Sequence, residues 1–394
     1  MRVLILAPQP FYQNRGTPIA VRLLAEVLGK NSIEVHLLVF HEGEDVDMEN
    51  VTVHRIPAFP GISAIGPGFS LKKLFCDLLL WTSSLKLQRR MQFDLVHAVE
   101  ESVFIARLNK VWFRVPYVYD MDSCLSDQLL TGRTWLKPLR RLFEWFEKGA
   151  VRGSAGIVAV CAALEGKVRE LDPDKELVRL EDISLLGEWA EPNGNNESLR
   201  DSLGATGKIL LYVGNLEYYQ GIDLLLEGFA RLAGSRQDCT LVIVGGSPES
   251  IARYTRKTVG LAIADRVFFT GPRPLEKLEG YLHQADVLVS PRMQGENTPM
   301  KIYSYLDSGR PVVATRITSH TQVMDEEIAV LVDPDPASLA RGLGSLLDDA
   351  KLGASLAARA RERVASEFSR PVFERKLLDF YGNIRAGLQM RQEQ

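Results

Sequence analysis

Arg292, Glu296 and Lys301 fall close together in the polar run Pro291-Arg292-Met293-Gln294-Gly295-Glu296-Asn297-Thr298-Pro299-Met300-Lys301. Two cations at that spacing are suited to neutralising an anion. Thr298 fits a helix N-cap and Pro299 a first-turn position, so a helix is expected to open there. A helix that begins on a loop after a parallel strand directs unpaired N–H groups and a positive dipole end outward, which suits a phosphate. Lys301 lies one turn further on, and Asn297 and Met300 complete the loop. A second set is Asp120-Met121-Asp122, two carboxylates two positions apart. They could hold a divalent cation through oxygen atoms, or cap the following helix. A third is Gly16-Thr17-Pro18, where a Gly, a Thr N-cap and a first-turn Pro allow close backbone approach to a ligand. An ordinary capped helix would carry the same residues.

The elements around these residues set where they point. The Arg292–Lys301 loop lies between two apolar runs, Val287–Ser290 and Val312–Thr315, that read as buried strands. In the N-terminal half, strands are expected at 3–7, 35–40, 51–56, 95–99, 117–120 and 157–160, with helices at 18–29, 71–90, 103–109, 136–152 and 162–171. Such alternation of apolar strands with helices implies a mostly parallel sheet covered on both faces. A similar strand–turn–helix restarts at Lys208–Gly214 and Gly221–Phe229, followed by strands at 240–244 and 267–269. Two such α/β units place the expected ligand site between two domains, at the carboxyl ends of both sheets. The expected division is 1–181, a linker at 182–207 around Glu191–Asn196, a second domain at 208–370 and a last helical segment at 371–394.

The totals narrow the class. A chain of 394 residues, 46% hydrophobic and 25% charged, is long enough for two cores. Its net charge of −3 gives no bulk electrostatic reason to bind nucleic acid. The start, Met1–Pro8, reads as a first buried strand because its apolar run is too short for a signal peptide. No apolar stretch reaches spanning length, and Asp77 interrupts the longest, Leu74–Trp81. Four cysteines without a CxxC or neighbouring histidines fit reduced thiols and a cytoplasmic location.

The Ser290–Thr315 segment resembles the nucleotide-sugar-binding motif of the family-four retaining glycosyltransferases (glycosyl transferases group 1), and the resemblance extends over nearly the whole chain. It implies the GT-B fold, two Rossmann-like domains with parallel sheets facing across a cleft. It further implies transfer of a sugar from a nucleoside-diphosphate sugar to an acceptor hydroxyl, with no metal or other cofactor. By the same resemblance, Gly16 and Thr17 lie near the donor diphosphate or the acceptor. His97 and Glu100 match part of the family's His-x-His-Glu; Glu100 and Asp120 are expected to contact the sugar or acceptor, Glu100 at a sugar hydroxyl, and His97 to have a structural role. Asp122 falls where the family has a His that touches the transferred sugar. That adds a third role for the carboxylate, stabilising positive charge at the anomeric carbon, and it is favoured over capping and over a metal-binding Asp-x-Asp pair with Asp120.

The chain departs from the family at charged positions. After Gly214 the family has Arg and before Gly221 it has Lys, both gripping the diphosphate; here Asn215 and Gln220 stand there. Neutral amides lack the charge assistance that roughly doubles hydrogen-bond strength. Arg292, Lys301 and the main chain around Thr298–Met300 are expected to compensate. Of the family's two glutamates, Glu296 matches the first, and Ser304 replaces the second, with one ribose hydroxyl as its expected partner. His320 is expected to face the cleft or lie on a surface loop. The leading reading is a metal-independent hexosyltransferase acting in surface polysaccharide or glycolipid synthesis, the partners being a nucleotide sugar and a carbohydrate or lipid-linked acceptor. The rivals are a non-catalytic nucleotide- or sugar-binding protein on the same scaffold, or a related epimerase or hydrolase. Basic, tryptophan-containing stretches at 69–90 and 135–152 either cover the sheet or make weak contact with the inner membrane face.

Overall fold

The computed structural model describes residues 1–13, 16–63, 65–66, 70–124, 140–187 and 198–392. The chain divides into two compact units, residues 1–181 with 373–394, and residues 182–372. The N-terminal unit is built on β1 (Arg2–Leu6), β2 (Glu34–Val39), β3 (Val51–Arg55), β4 (Leu95–Val99), β5 (Tyr117–Met121), β6 (Gly156–Ala159) and β7 (Leu177–Arg179). Their order across the sheet is β3-β2-β1-β4-β5-β6-β7, and all neighbours pair in parallel. Central strands such as β1 are buried along Val3–Leu6, so they carry no polar face there and read as unbroken apolar runs. Strand order reverses between β1 and β4, which makes their carboxyl ends the switch point of this sheet.

The C-terminal unit repeats the plan with β8 (Lys208–Val213), β9 (Cys239–Val244), β10 (Val267–Gly271), β11 (Val287–Ser290), β12 (Val312–Thr315) and β13 (Val330–Val332). The order is β10-β9-β8-β11-β12-β13, again parallel, with the reversal between β8 and β11. Alternate residues of β8 feed two cores. Leu210 and Tyr212 pack under helices Ile222–Ser235 and Pro336–Asp348, while Ile209 and Leu211 pack against Lys301–Asp307 and Ala350–Glu367.

Helix Arg370–Gln392 brings the chain back to the N-terminal unit. Tyr381 and His97 Nδ1 are hydrogen-bonded at 2.9 Å. Gly156 of β6 leaves room for Phe380 and Ile384, whose side chains a Cβ there would strike. Within the stretch expected to be a linker, helix Leu199–Leu203 forms and Leu199 is buried in the C-terminal core; Glu191–Asn196 lies outside the described residues. Among the described residues no helix is long and apolar enough to cross a membrane.

Candidate functional site

The loops leaving β8 and β11 meet at the switch point of the C-terminal sheet, and Lys301 is at their centre. Its Nζ lies 3.9 Å from the centroid of the Tyr212 ring and 3.3 Å from Gln220 Oε1. Neither neighbour carries a charge. Burial, followed by the positive charge of Arg292, pushes the Lys301 pKa well below that of an ordinary lysine. Arg292 is itself buried: Nε donates to the Gln294 carbonyl at 2.7 Å and an Nη to Asn297 Oδ1 at 3.2 Å. Its guanidinium stands 5.4 Å from the Tyr219 ring centroid, and burial lowers its pKa also. Among the described residues, no carboxylate is paired with either cation. Holding one buried and one half-buried positive group with only amides, carbonyls and ring faces around them is unfavourable. An arriving anion would relieve both. In electrostatic terms the pair is suited to an anion.

Two glycines make this seat. Gly221 has φ 72°, and a Cβ there would overlap the Pro291 carbonyl. The short 3-10 turn Tyr218–Gln220 is thereby pressed onto the loop after β11, with Met293 N–H donating to the Tyr219 carbonyl at 2.9 Å. That contact carries Gln220 to Lys301 and Tyr219 to Arg292. Gly214, at φ 149°, ends β8; a side chain there would come within 3.2 Å of Lys301 Nζ. Asn215 is exposed beside it, and its carbonyl accepts the Tyr212 hydroxyl at 2.6 Å.

Several expected residues are placed differently. The helix begins at Lys301, not at Thr298, and its first turn is entered by short-range bonds from Ile302 N–H to the Pro299 carbonyl and from Tyr303 N–H to the Met300 carbonyl. Thr298 does not cap it; the buried hydroxyl instead accepts Gln322 Nε2 at 2.9 Å, while the same amide donates to the Glu296 carbonyl at 2.8 Å. Gln322 thus holds the loop that exposes Glu296. Ser304 is fully buried and accepts the Leu185 N–H at 3.0 Å, so its hydroxyl serves the fold rather than an outward-facing ribose contact.

His320 neither faces outward nor sits on a surface loop; it is a core residue. A carbonyl can only accept, so Nδ1 carries the proton and donates to the Thr315 carbonyl at 2.8 Å. The Ser290 hydroxyl then donates to Nε2 at 2.9 Å. Burial, with smaller contributions from Lys301 and Arg292, lowers the His320 pKa to about 4 against a bond to Thr315 that raises it. The Thr315 hydroxyl donates onward to the Arg292 carbonyl. This neutral imidazole ties the ends of β11 and β12 to the backbone of Arg292.

In the N-terminal unit, the helix Gly16–Lys30 starts at Gly16, which puts Thr17 inside the first turn and not at the cap. Glu100 follows β4 at φ 50°, a left-handed conformation that a non-glycine residue adopts at a cost of about 1–2 kcal/mol. Its N–H donates to the Asp120 carbonyl at 2.9 Å. Asp120 Oδ2 is 3.0 Å from His97 Nε2; with Tyr381 on Nδ1, that fully buried imidazole is occupied at both nitrogens. Asp122 lies just past β5 and is half-buried. Among the described residues, no three His, Cys, Asp or Glu side chains are grouped as metal ligands.

Sequence reasoning missed Tyr212, Tyr219 and Gln322, whose roles depend on contacts between separate loops. It also passed over Asp77. Burial, then the nearby Glu101, pushes the Asp77 carboxyl up to about 7, with Lys73 opposing. The signal was an acid in the middle of the apolar run Leu74–Trp81.

Residues 207–349 match the family model described as "Glycosyl transferases group 1", and residues 15–180 the one described as "Glycosyl transferase 4-like domain". The D-inositol 3-phosphate glycosyltransferase of Corynebacterium diphtheriae is 34% identical over 198 residues, 48% of this chain and 46% of that one. The chain's match thus spans about half the length of the first curated relatives or less. The alpha-D-kanosaminyltransferase of Streptomyces kanamyceticus is 25% identical over 85% of this chain and 90% of its own. Among solved structures, sucrose-phosphate synthase from Thermosynechococcus elongatus superposes with a TM-score of 0.80 at 20% identity, covering 98% of this chain and 99% of that one. The Anabaena protein HepE in complex with UDP-glucose gives 0.73 at 15%, covering 97% and 100%. At these identities the structural likeness establishes the fold.

Proposed function

This chain belongs to the group 1 glycosyltransferases, and on that footing we propose that it moves a sugar from a nucleoside-diphosphate sugar to an acceptor hydroxyl, with retention of anomeric configuration. The observation that carries the reading is the pair of half-buried Lys301 and buried Arg292, two cations without a carboxylate partner among the described residues. In this reading they receive the donor's diphosphate. As the bond from the anomeric carbon breaks, negative charge grows on the departing phosphate, and groups already oriented toward it lower that barrier. The amides of Asn215 and Gln220 add neutral hydrogen bonds, Gln220 being already in contact with Lys301.

Family analogy assigns the remaining groups. Asp122 stabilises positive charge on the sugar, and Glu100 takes a sugar or acceptor hydroxyl. Glu296, exposed beside Arg292, contacts the donor. The acceptor hydroxyl attacks on the face the diphosphate leaves, without a metal. The acceptor belongs to surface polysaccharide or glycolipid synthesis; family analogy alone supports that part. HepE has been solved with UDP and with UDP-glucose, so UDP is the first nucleotide to try.

The purified protein, warmed with UDP, GDP, ADP or CMP in turn, is expected to melt higher with one of them. Slow donor hydrolysis without acceptor should disappear in Lys301→Ala and in Asp122→Ala, and persist in EDTA. Unchanged turnover in both variants would overturn the assigned roles.

A further inference from the structure

Three helices of the N-terminal unit carry apolar side chains on the side away from their sheet. In Leu71–Arg90 the buried residues include Ser84 and Gln88, while Leu71, Leu74 and Leu78 are exposed, Leu71 by 81%. In Ser102–Phe113 the buried set includes Ser102 and Asn109, while Leu108, Val111 and Trp112 are exposed, Trp112 by 59%. In Arg140–Gly153 Glu147 is buried, and Leu142, Trp145 and Phe146 are exposed, Trp145 by 61%. Each outward set follows helical spacing, so each is a stripe along one face.

The stripes join. The three helices precede β4, β5 and β6, successive strands in one direction, and right-handed crossovers set them on one side of the sheet. The Trp81 and Trp112 rings stack at 6.1 Å, and Phe104 meets Phe146 edge-on at 6.4 Å. Trp81 Nε1 also donates to Asn109 Oδ1 at 3.2 Å. On these helices eight exposed Lys and Arg side chains stand against one exposed carboxylate, Glu144, which is paired with Arg140. The chain as a whole is at −3, so positive charge is concentrated here.

The geometry points to an anionic lipid surface as the occupant of this face. Trp112, Trp145 and the leucines enter the interfacial zone, and Lys86, Arg89, Arg141 and Arg152 meet phosphate headgroups. Charge complementarity favours lipid over a second copy of the chain, whose identical basic face would repel it. This inference stands apart from the donor site, and its test reads the two separately.

Flotation of the full chain with vesicles of equal parts phosphatidylglycerol and phosphatidylcholine should recover it with the lipid. Phosphatidylcholine alone, or raised salt, should weaken partition at least about tenfold. A triple variant Val111→Gln/Leu142→Gln/Trp145→Gln and, separately, Arg141→Glu/Arg152→Glu should each lose about tenfold in partition. Both should keep the nucleotide-induced melting shift of the unaltered chain. Failure to float with the anionic vesicles, or equal partition by both variants, would overturn the proposal. So would concentration-dependent self-association that the same substitutions abolish.

Discussion

At the scale of single residues, the proposed site rests on two cations that no carboxylate compensates among the described residues. Lys301 illustrates this. Its lowered pKa comes from burial first and Arg292 second, and an anion bound beside it would favour the protonated form. Nucleotide affinity should therefore fall as pH rises through the Lys301 pKa of the free protein, beginning below the 10.5 of an ordinary lysine. The expected slope approaches about tenfold per pH unit. Calorimetric titration across the alkaline range checks this, and Lys301→Met should flatten the profile. His320 makes the opposite kind of statement, about stability. Its pKa is near 4 in the fold and 6.5 in the open chain. The stabilisation is thus fully present above 6.5 and lost as pH falls through 4. The loss should be on the order of 3 kcal/mol. Denaturation at a series of acidic pH values should show that loss, and His320→Gln, which cannot protonate, should show a shallower one.

At the scale of elements, the turn Tyr218–Gln220 carries more of the site than its length suggests. Gly221→Ala would place a methyl group on the Pro291 carbonyl and strain a φ of 72°. We expect about 2 kcal/mol of lost stability, with nucleotide binding weakened further because Gln220 and Tyr219 move away from Lys301 and Arg292. Chemical denaturation and nucleotide titration of the same variant read the two effects. The long apolar strands were legible in the sequence because a strand buried on both faces leaves an unbroken run, as in Val3–Leu6. β7 and β13 have three residues each, too few for any period to show. The start of helix Lys301–Asp307 was misread because Thr298-Pro299 has the composition of a cap, yet Gln322 competes for the hydroxyl from outside the local segment. Ser304 and His320 were misplaced for a related reason: residue type shows that a group is polar, whereas burial depends on which strands lie beside it. Lys301 and Arg292 were legible as cations. That no described carboxylate partners them was visible only in the folded chain.

At the scale of the whole molecule, the N-terminal unit is completed by the last stretch of sequence. Tyr381 bonds His97, and His97 bonds Asp120, so the final helix is tied to β4 and β5 through one buried imidazole. Tyr381→Phe should cost about 1–3 kcal/mol by leaving a buried ring nitrogen without its partner. Ending the chain at Val372 should expose 1–181 to proteolysis while the C-terminal unit stays resistant. The account depends above all on the idea that Lys301 and Arg292 are retained for an anionic ligand at the expense of the free protein. The most direct test is to denature the wild type and Lys301→Met with and without the nucleotide that raises the melting temperature. We predict that Lys301→Met is more stable than wild type without nucleotide, by about 1–3 kcal/mol, and gains nothing when it is added. A variant that is no more stable alone, yet is still stabilised by the nucleotide as the wild type is, would contradict the account.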